Sequence, residues 1–324
     1  MSTYLVTGVA GFIGSHIADE LLRQGHSVRG VDNFITGKRE NIAEFGSRLE
    51  FHEADLRDLA AMHEVCRGVD YIFHEAALAS VPRSIKDPDA TNGCNVTGTL
   101  NLLIAARDAG VKRVVYAASS SIYGDTPTLP KREDMLPNPI SPYAVSKLAG
   151  EHYLTSFYQV YGLETVSLRY FNVFGPHQAA DSPYSGVLAK FITLMLEGKQ
   201  PSILGDGEQS RDFTYVDNVV QANLGACAAP AEAVAGRVFN IALGERYTLN
   251  LTFTALKKII GYTGEAAYGP ERAGDVKHSQ ADITLAKKQF GYTPQIGFEE
   301  GLRKTVQWYR EQLESTRLES AHAR

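Results

Sequence analysis

Gly8-Val9-Ala10-Gly11-Phe12-Ile13-Gly14 separates the strand-like run Tyr4-Leu5-Val6-Thr7 from a helical pattern over residues 11–23. Three glycines in a GxxGxxG spacing let the backbone turn tightly after a strand and let a bulky anion approach the main chain. The helix that follows directs its positive end and its unpaired N–H groups at the turn, which suits a pyrophosphate. A glycine triplet by itself would serve a plain tight turn equally well.

Asp32 gives the triplet its context. It closes the second strand-like run, residues 27–31, at roughly the 20-residue offset of a ribose-binding acid. A carboxylate there accepts hydrogen bonds from the adenosine ribose and repels a 2′-phosphate, so NAD is expected rather than NADP. Phe12, Ile13 and Asn33 belong to the same candidate cofactor surface. Asp55-Leu56 after the third run and Ala76-Ala77 after the fourth are further candidates, although ordinary strand-end loops would look the same.

Outward from the loop, runs at 4–7, 27–31, 49–52, 71–74, 113–117 and 165–169 alternate with helical stretches, notably 11–23, 96–109 and 142–161. That rhythm predicts an α/β fold, a Rossmann-type doubly wound parallel sheet with helices on both faces. The 96–109 stretch is apolar on more than one face, so a second packing partner is expected for it. After Gly175 the rhythm breaks. An apolar helix is expected near 187–196, a returning strand at 238–241, and an amphipathic helix with the stripe Phe298, Leu302, Val306, Tyr309 and Leu313 near the end. The tail from Glu314 has no apolar period and is expected to fray. These boundaries divide the chain into 1–175, with 211–241, as the cofactor domain, and 176–210 with 242–324 as a smaller, mostly helical substrate lobe.

Of 324 residues, 44% are hydrophobic and 21% charged, enough for a sizeable core. The formal charge of -5 argues against general nucleic-acid binding, which needs a basic field. Cys66, Cys94 and Cys227 show no CxxC spacing, so neither a disulfide framework nor a zinc site is expected, and no metal site is recognised. His74 and His177 are expected in loops near the cleft, as packing or rim residues. The strand-like start leaves no room for a signal peptide and no apolar run reaches the ~20 residues of a membrane span; the expectation is a cytoplasmic protein.

Tyr143-Ala144-Val145-Ser146-Lys147 carries the chemistry. Residues i and i+4 share a helix face, so phenol and ammonium point the same way. A free phenol, with a pKa near ~10, is a poor base at neutral pH. A neighbouring Lys⁺ would favour phenolate. Ser141 reads as an N-cap and Pro142 as the first helical residue, which would put Tyr143 at the positive helix end and act in the same direction. Ser119-Ser120-Ser121 ends the fifth run, and in an open parallel sheet the carboxyl ends of strands face the ligand crevice. Hydroxyls and phenol can therefore converge on one substrate oxygen.

Taken together, the glycine loop, Asp32, the strand-end serines and YxxxK resemble the extended short-chain dehydrogenase/reductase superfamily over nearly the whole chain. Tyr170-Phe171-Asn172-Val173-Phe174-Gly175, Arg211-Asp212-Phe213-Thr214-Tyr215-Val216-Asp217 and Arg272-Ala273-Gly274-Asp275 look most like the UDP-galactose/UDP-N-acetylhexosamine 4-epimerase family. The resemblance implies that Tyr143, Lys147 and Ser119 form the catalytic group, with Ser120 and Ser121 as further candidates beside them. It implies a UDP-sugar held by Asn172, Arg211 and Arg272 at the pyrophosphate and Asp275 at the uridine ribose, and a homodimer joined by the 96–109 and 142–161 helices. Guanidinium groups match phosphate oxygens in bidentate geometry, although either arginine alone could be a surface ion pair. Related dehydratases follow the strand-end hydroxyl with an Asp-Glu pair. Here Ser120-Ser121 stands there, which disfavours elimination. Ser279 lies where glucose/galactose-restricted relatives often place a tyrosine, which points to UDP-GlcNAc/UDP-GalNAc, with UDP-Glc/UDP-Gal alongside. UDP-glucuronate 4-epimerase, UDP-glucuronate decarboxylase and a non-catalytic NAD-binding regulator remain as alternatives.

Overall fold

The computed structural model describes residues 2–180, 186–271 and 276–322. The strands of its main sheet are β1 (Thr3–Thr7), β2 (Ser27–Asp32), β3 (Leu49–Glu53), β4 (Tyr71–His74), β5 (Arg113–Ser119), β6 (Glu164–Tyr170) and β7 (Arg237–Ile241). They lie in the order β7-β6-β5-β4-β1-β2-β3, and every neighbouring pair is parallel. The Rossmann-type fold expected from the sequence is the one observed, including the late return of 238–241 to the sheet.

Around the sheet pack α1 (Phe12–Arg23), α2 (Leu59–Cys66), α3 (Gly98–Asp108), α4 (Pro142–Tyr161), α5 (Val187–Leu196), α6 (Val216–Ala228), α7 (Leu249–Ile260) and α8 (Phe298–His322). Side chains alternate across a strand, so each strand feeds two cores. Val6 and Val115 join Ile17, Val219 and Phe239 under α1 and α6. Leu5 and Val114 join Met62, Leu102 and Leu154 under α2, α3 and α4. The buried six-residue run at the start of β5 reflects this two-sided cover. A third core, built on Phe174, Phe191, Phe253, Phe298, Leu302 and Val306, gathers α5, α7 and α8 beyond the sheet.

Several boundaries differ from the sequence reading, each for a local reason. The 96–109 helix begins as a wide π-turn over Gly93–Thr97 and becomes regular at Gly98. Asn95 in that turn is buried, accepts from Leu78 N at 2.8 Å and donates to Ser146 Oγ at 3.0 Å, so it ties the β4 exit loop to α4. His74 is not in a loop. It is the last residue of β4, fully buried between the hydroxyls of Thr7 and Thr99, each at 2.8 Å. The tail does not fray at Glu314; α8 continues to His322, since no glycine or proline interrupts it after Gly301. Among the described residues, no helix is long and apolar enough to cross a membrane.

The strand order reverses between β1 and β4, so the chain leaves these neighbours toward opposite faces of the sheet. A crevice opens there at the carboxyl edge.

Candidate active site

Gly8 follows β1 with φ 67°, and a Cβ there would stand 2.8 Å from the Ala76 backbone. Gly14 is tighter still: its Cβ would come within 2.2 Å of the Gly8 carbonyl oxygen. Gly11 donates to that oxygen at 2.9 Å and begins α1 without any side-chain cap. The positive end of α1 is thus left to an anion that can approach bare backbone. Asp32 ends β2 almost fully buried, its Oδ2 accepting from Ala10 N at 3.0 Å and its Oδ1 from Phe34 N at 2.8 Å. Burial pushes its pKa above the ordinary carboxylate range. Asn33 donates to Asp55 at 2.8 Å, while Arg57 grips Asp55 and holds it well below the usual range.

These groups line one cavity of about 1020 Å³. Gly8, Gly11, Phe12, Ile13, Gly14, Asp32, Asn33, Asp55, Leu56, Ala76 and Ala77 border it, and so do Ser119, Ser120, Ser121, Tyr143, Lys147, Asn172, Arg211 and Ser279. The fold therefore brings together every described residue that the sequence nominated. Arg272 and Asp275 lie outside the described residues. A bare-backbone cradle, an open helix end and a strand-end carboxylate fit NAD.

Tyr143 sits in the first turn of α4, because Ser141 caps the helix by accepting from Ala144 N at 3.2 Å and Pro142 opens it. Lys147, one turn on, is buried; its Nζ donates to Ala117 O at 2.7 Å and lies 4.8 Å from the Tyr116 ring centroid. Burial pushes Lys147 down to about 8, against the pull of Glu75 and Glu151. Ser119 is the last residue of β5. Its hydroxyl donates to Ser121 Oγ at 2.9 Å and caps the 3₁₀ turn Ser120–Tyr123, so only Ser119 of the three serines belongs to the strand. Here the structure corrects the sequence reading. Burial raises the Tyr143 phenol above its ordinary value, and only the Ser119 hydrogen bond draws it back. Desolvation of the buried phenolate outweighs that bond.

On the opposite wall, Asn172 takes a positive φ of 33° and donates to Asp212 O at 3.1 Å. The Arg211 guanidinium donates to Ser210 O and Lys277 O, and Ser279 N donates to Ser210 O at 3.0 Å. Asp212 holds these loops together. It is fully buried and accepts from Leu243 N, Gly244 N and Ala281 N at 3.0, 3.1 and 3.0 Å. Asp212→Ala would strand three amides, each costing ~1–3 kcal/mol if no water reaches it. A clear drop in unfolding free energy is expected in urea, and a wild-type midpoint would remove the clamp.

Sequence reasoning passed over two other residues of the cavity wall, Glu75 and Lys131. Glu75 follows β4 directly, so the rule that strand ends face the crevice could have found it. Lys131 comes from an aperiodic loop and carried no such signal, yet it is 2% exposed, with its ammonium bonded to Thr126. His177, read as a rim or packing residue, does border the cavity, shares a hydrogen bond with Ser15 Oγ at 3.1 Å and lies tilted against the His16 ring.

The NAD dependent epimerase/dehydratase family matches residues 4–242. Over 311 residues the chain is 40% identical to the UDP-glucose 4-epimerase of Mycolicibacterium smegmatis, a span of 94% of this chain and 98% of that one. The crystal structure of the Thermotoga maritima UDP-glucose 4-epimerase with UDP-glucose superposes with a TM-score of 0.92 at 41% identity, covering 96% of this chain and 99% of that chain. The UDP-N-acetylglucosamine 4-epimerase of Methanobrevibacter ruminantium, in complex with UDP-N-acetylmuramic acid, matches with a TM-score of 0.91 at 42% identity, over 96% and 99% of the two chains. Likeness at this level, sustained from the glycine loop to the far wall of the cleft, has one meaning: the chain belongs to the NAD dependent epimerase/dehydratase family.

Proposed function

We propose that the chain is an NAD-dependent UDP-sugar 4-epimerase whose preferred pair is UDP-GlcNAc/UDP-GalNAc, with UDP-Glc/UDP-Gal as a second pair. The observation that carries the reading is the meeting of Ser119, Tyr143 and Lys147 with the glycine cradle on one cavity. Binding alone needs no such phenol, which weighs against a regulator without turnover.

Bound NAD supplies the acceptor, and later the donor, of the C4 hydride. Tyr143 takes the proton of the sugar 4-hydroxyl, and Ser119 holds the same oxygen by hydrogen bonding. Lys147, when protonated, stabilises the phenolate electrostatically. Arg211 and Asn172 hold the UDP pyrophosphate, assisted by Arg272, with Asp275 at the ribose. After the 4-keto sugar turns over in the pocket, Tyr143 returns the proton to the inverted carbinol. Ser120 and Ser121 offer no carboxylate next to Ser119, so elimination finds no base there. This division of labour assigns cofactor binding to 1–175 with 211–241 and substrate binding to 176–210 with 242–324. A homodimer through α3 and α4 accompanies the reading; Val145, Val160 and Tyr161 on α4 are exposed apolar side chains.

Ser279 supports the N-acetyl preference because it is small, buried and part of the cavity wall. Ser279→Tyr is expected to cut turnover of the N-acetyl pair by at least about tenfold and to spare UDP-Glc/UDP-Gal, since pocket size discriminates by roughly that much. Equal effects on both pairs would remove Ser279 from the specificity argument. UDP-glucuronate 4-epimerase is a second reading, favoured by the buried ammonium of Lys131 at the cavity wall. Incubating purified protein with each UDP-sugar, without added NAD, and identifying the products separates these readings. Turnover of UDP-glucuronate but not of UDP-GlcNAc would transfer the preference, and turnover of none would end the epimerase reading.

A further inference from the structure

Glu75 is the first residue after β4, at the crevice where the strand order reverses. It borders the cavity shared with Tyr143 and Lys147. Tyr170 Oη, on β6, donates to Glu75 Oε1 at 2.9 Å and itself accepts from Asn223 Nδ2 of α6 at 2.7 Å. Glu75 is therefore held in place by a hydroxyl that brings no charge. Among the described residues, no cation closes to salt-bridge distance on it.

Lys147 is faced by several groups. His74 of β4 bonds Thr7 and Thr99 through its two ring nitrogens, and burial pushes it down to about 3, so it brings no charge near neutral pH. From β5 come the Tyr116 ring and the Ala117 carbonyl. From α4 come Tyr143 and Glu151. Glu151 is already committed, because Arg169 of β6 grips both its oxygens at 2.9 and 2.8 Å. Glu75 is the remaining acid: His74 lies opposite Tyr116 in the parallel β4–β5 register, so the next step along β4 carries Glu75 toward Ala117, whose carbonyl holds Lys147 Nζ at 2.7 Å, and among the described residues no guanidinium pairs with Glu75.

We propose that Glu75 is a positioning residue of the reaction, the counter-charge that keeps Lys147 an ammonium and so keeps a cation beside Tyr143. The proposal rests on the epimerase reading and adds to it a group that does not touch the reacting atoms. Burial pushes Glu75 up to about 7 and Lys147 down to about 8, and each draws the other back toward its charged form. With Glu75 made neutral, desolvation of Lys147 is opposed by Glu151 alone, and the ammonium loses its proton at lower pH.

Glu75→Gln keeps the acceptor for Tyr170 and removes the charge. The alkaline fall of kcat/KM is expected to begin about one pH unit lower than in the wild type, the scale of a close opposite charge. The loss should be about tenfold on that limb and small on the acid side. Glu75→Asp, which restores the charge, should return the limb toward its wild-type position. A second readout needs no turnover: the Lys147 side-chain carbon resonance, assigned by its loss in Lys147→Met, is titrated by NMR in wild type and Glu75→Gln. A lower Lys147 midpoint in Glu75→Gln supports the proposal. An unchanged midpoint, superimposed alkaline limbs, or an equal loss at every pH overturns it. Absence of epimerisation by the wild type with every UDP-sugar would overturn the epimerase reading instead, and the NMR titration would still decide the role of Glu75.

Discussion

Tyr143→Phe is expected to lower kcat by roughly 10²–10⁴-fold, the usual contribution of a positioned acid–base group, while the protein keeps its NAD. The phenyl ring retains the packing of the α4 first turn, and neither the glycine cradle nor Asp32 touches the hydroxyl that is removed. What disappears is the oxygen proposed to accept the 4-hydroxyl proton, the one whose ionisation Ser119 favours. Cofactor released by denaturing the purified variant should match the wild type, and turnover of UDP-GlcNAc should fall within the stated range. Near-normal turnover would remove Tyr143 from the chemistry, and loss of NAD would make the change a structural one. Because burial raises this phenol, its base form depends on neighbours, and the rate should depend on Ser119 as well.

Arg169→Met is expected to cost the fold ~3–5 kcal/mol, because it leaves Glu151 buried without its partner. Arg169 and Glu151 are 5% and 4% exposed at their side chains and meet in a bidentate pair. The same guanidinium donates to Tyr123 Oη at 2.8 Å, and Tyr123 donates to Asn240 Oδ1 of β7 at 2.7 Å. One substitution therefore opens a chain of bonds from α4 to the far edge of the sheet. Replacing both charges, Arg169→Met with Glu151→Leu, should recover most of the loss, since a packed apolar pair often equals a buried ion pair. Urea unfolding of the two variants checks this. A single-variant cost below about 1 kcal/mol would mean that water reaches the pair. Glu151 lies one turn beyond Lys147, so activity should fall with stability.

Much of the fold and the site can be read along the chain because their signals are short. The turn from β1 into α1 needs glycines within seven residues, and Asp32 follows at the end of the next strand. Ser141, Pro142, Tyr143 and Lys147 lie within seven residues that hold the cap and the first helical repeat, so capping and face are legible together. The strand runs announce a parallel sheet because burial on both faces makes them continuously apolar. The likeness to the 4-epimerase family seen in these motifs agrees with the match over residues 4–242.

What folding alone decided depends on groups far apart in sequence. Asp212 became a clamp because 31 and 69 positions separate it from Leu243 and Ala281, whose amides it gathers. Tyr123 finds Asn240 across 117 positions. Glu75 and Lys147, 72 positions apart, meet at one crevice only when the sheet and α4 assemble. The sign of the Tyr143 shift was misread for the same reason: charge proximity follows from i to i+4 spacing, whereas desolvation is set by everything that encloses the phenol. Sequence determined the sheet, the cofactor loop and the candidate residues that meet at the cleft, since these are written in local spacing. Tertiary structure decided their protonation and restraint, since electrostatic energy in a cleft is a sum over all the chain that surrounds it.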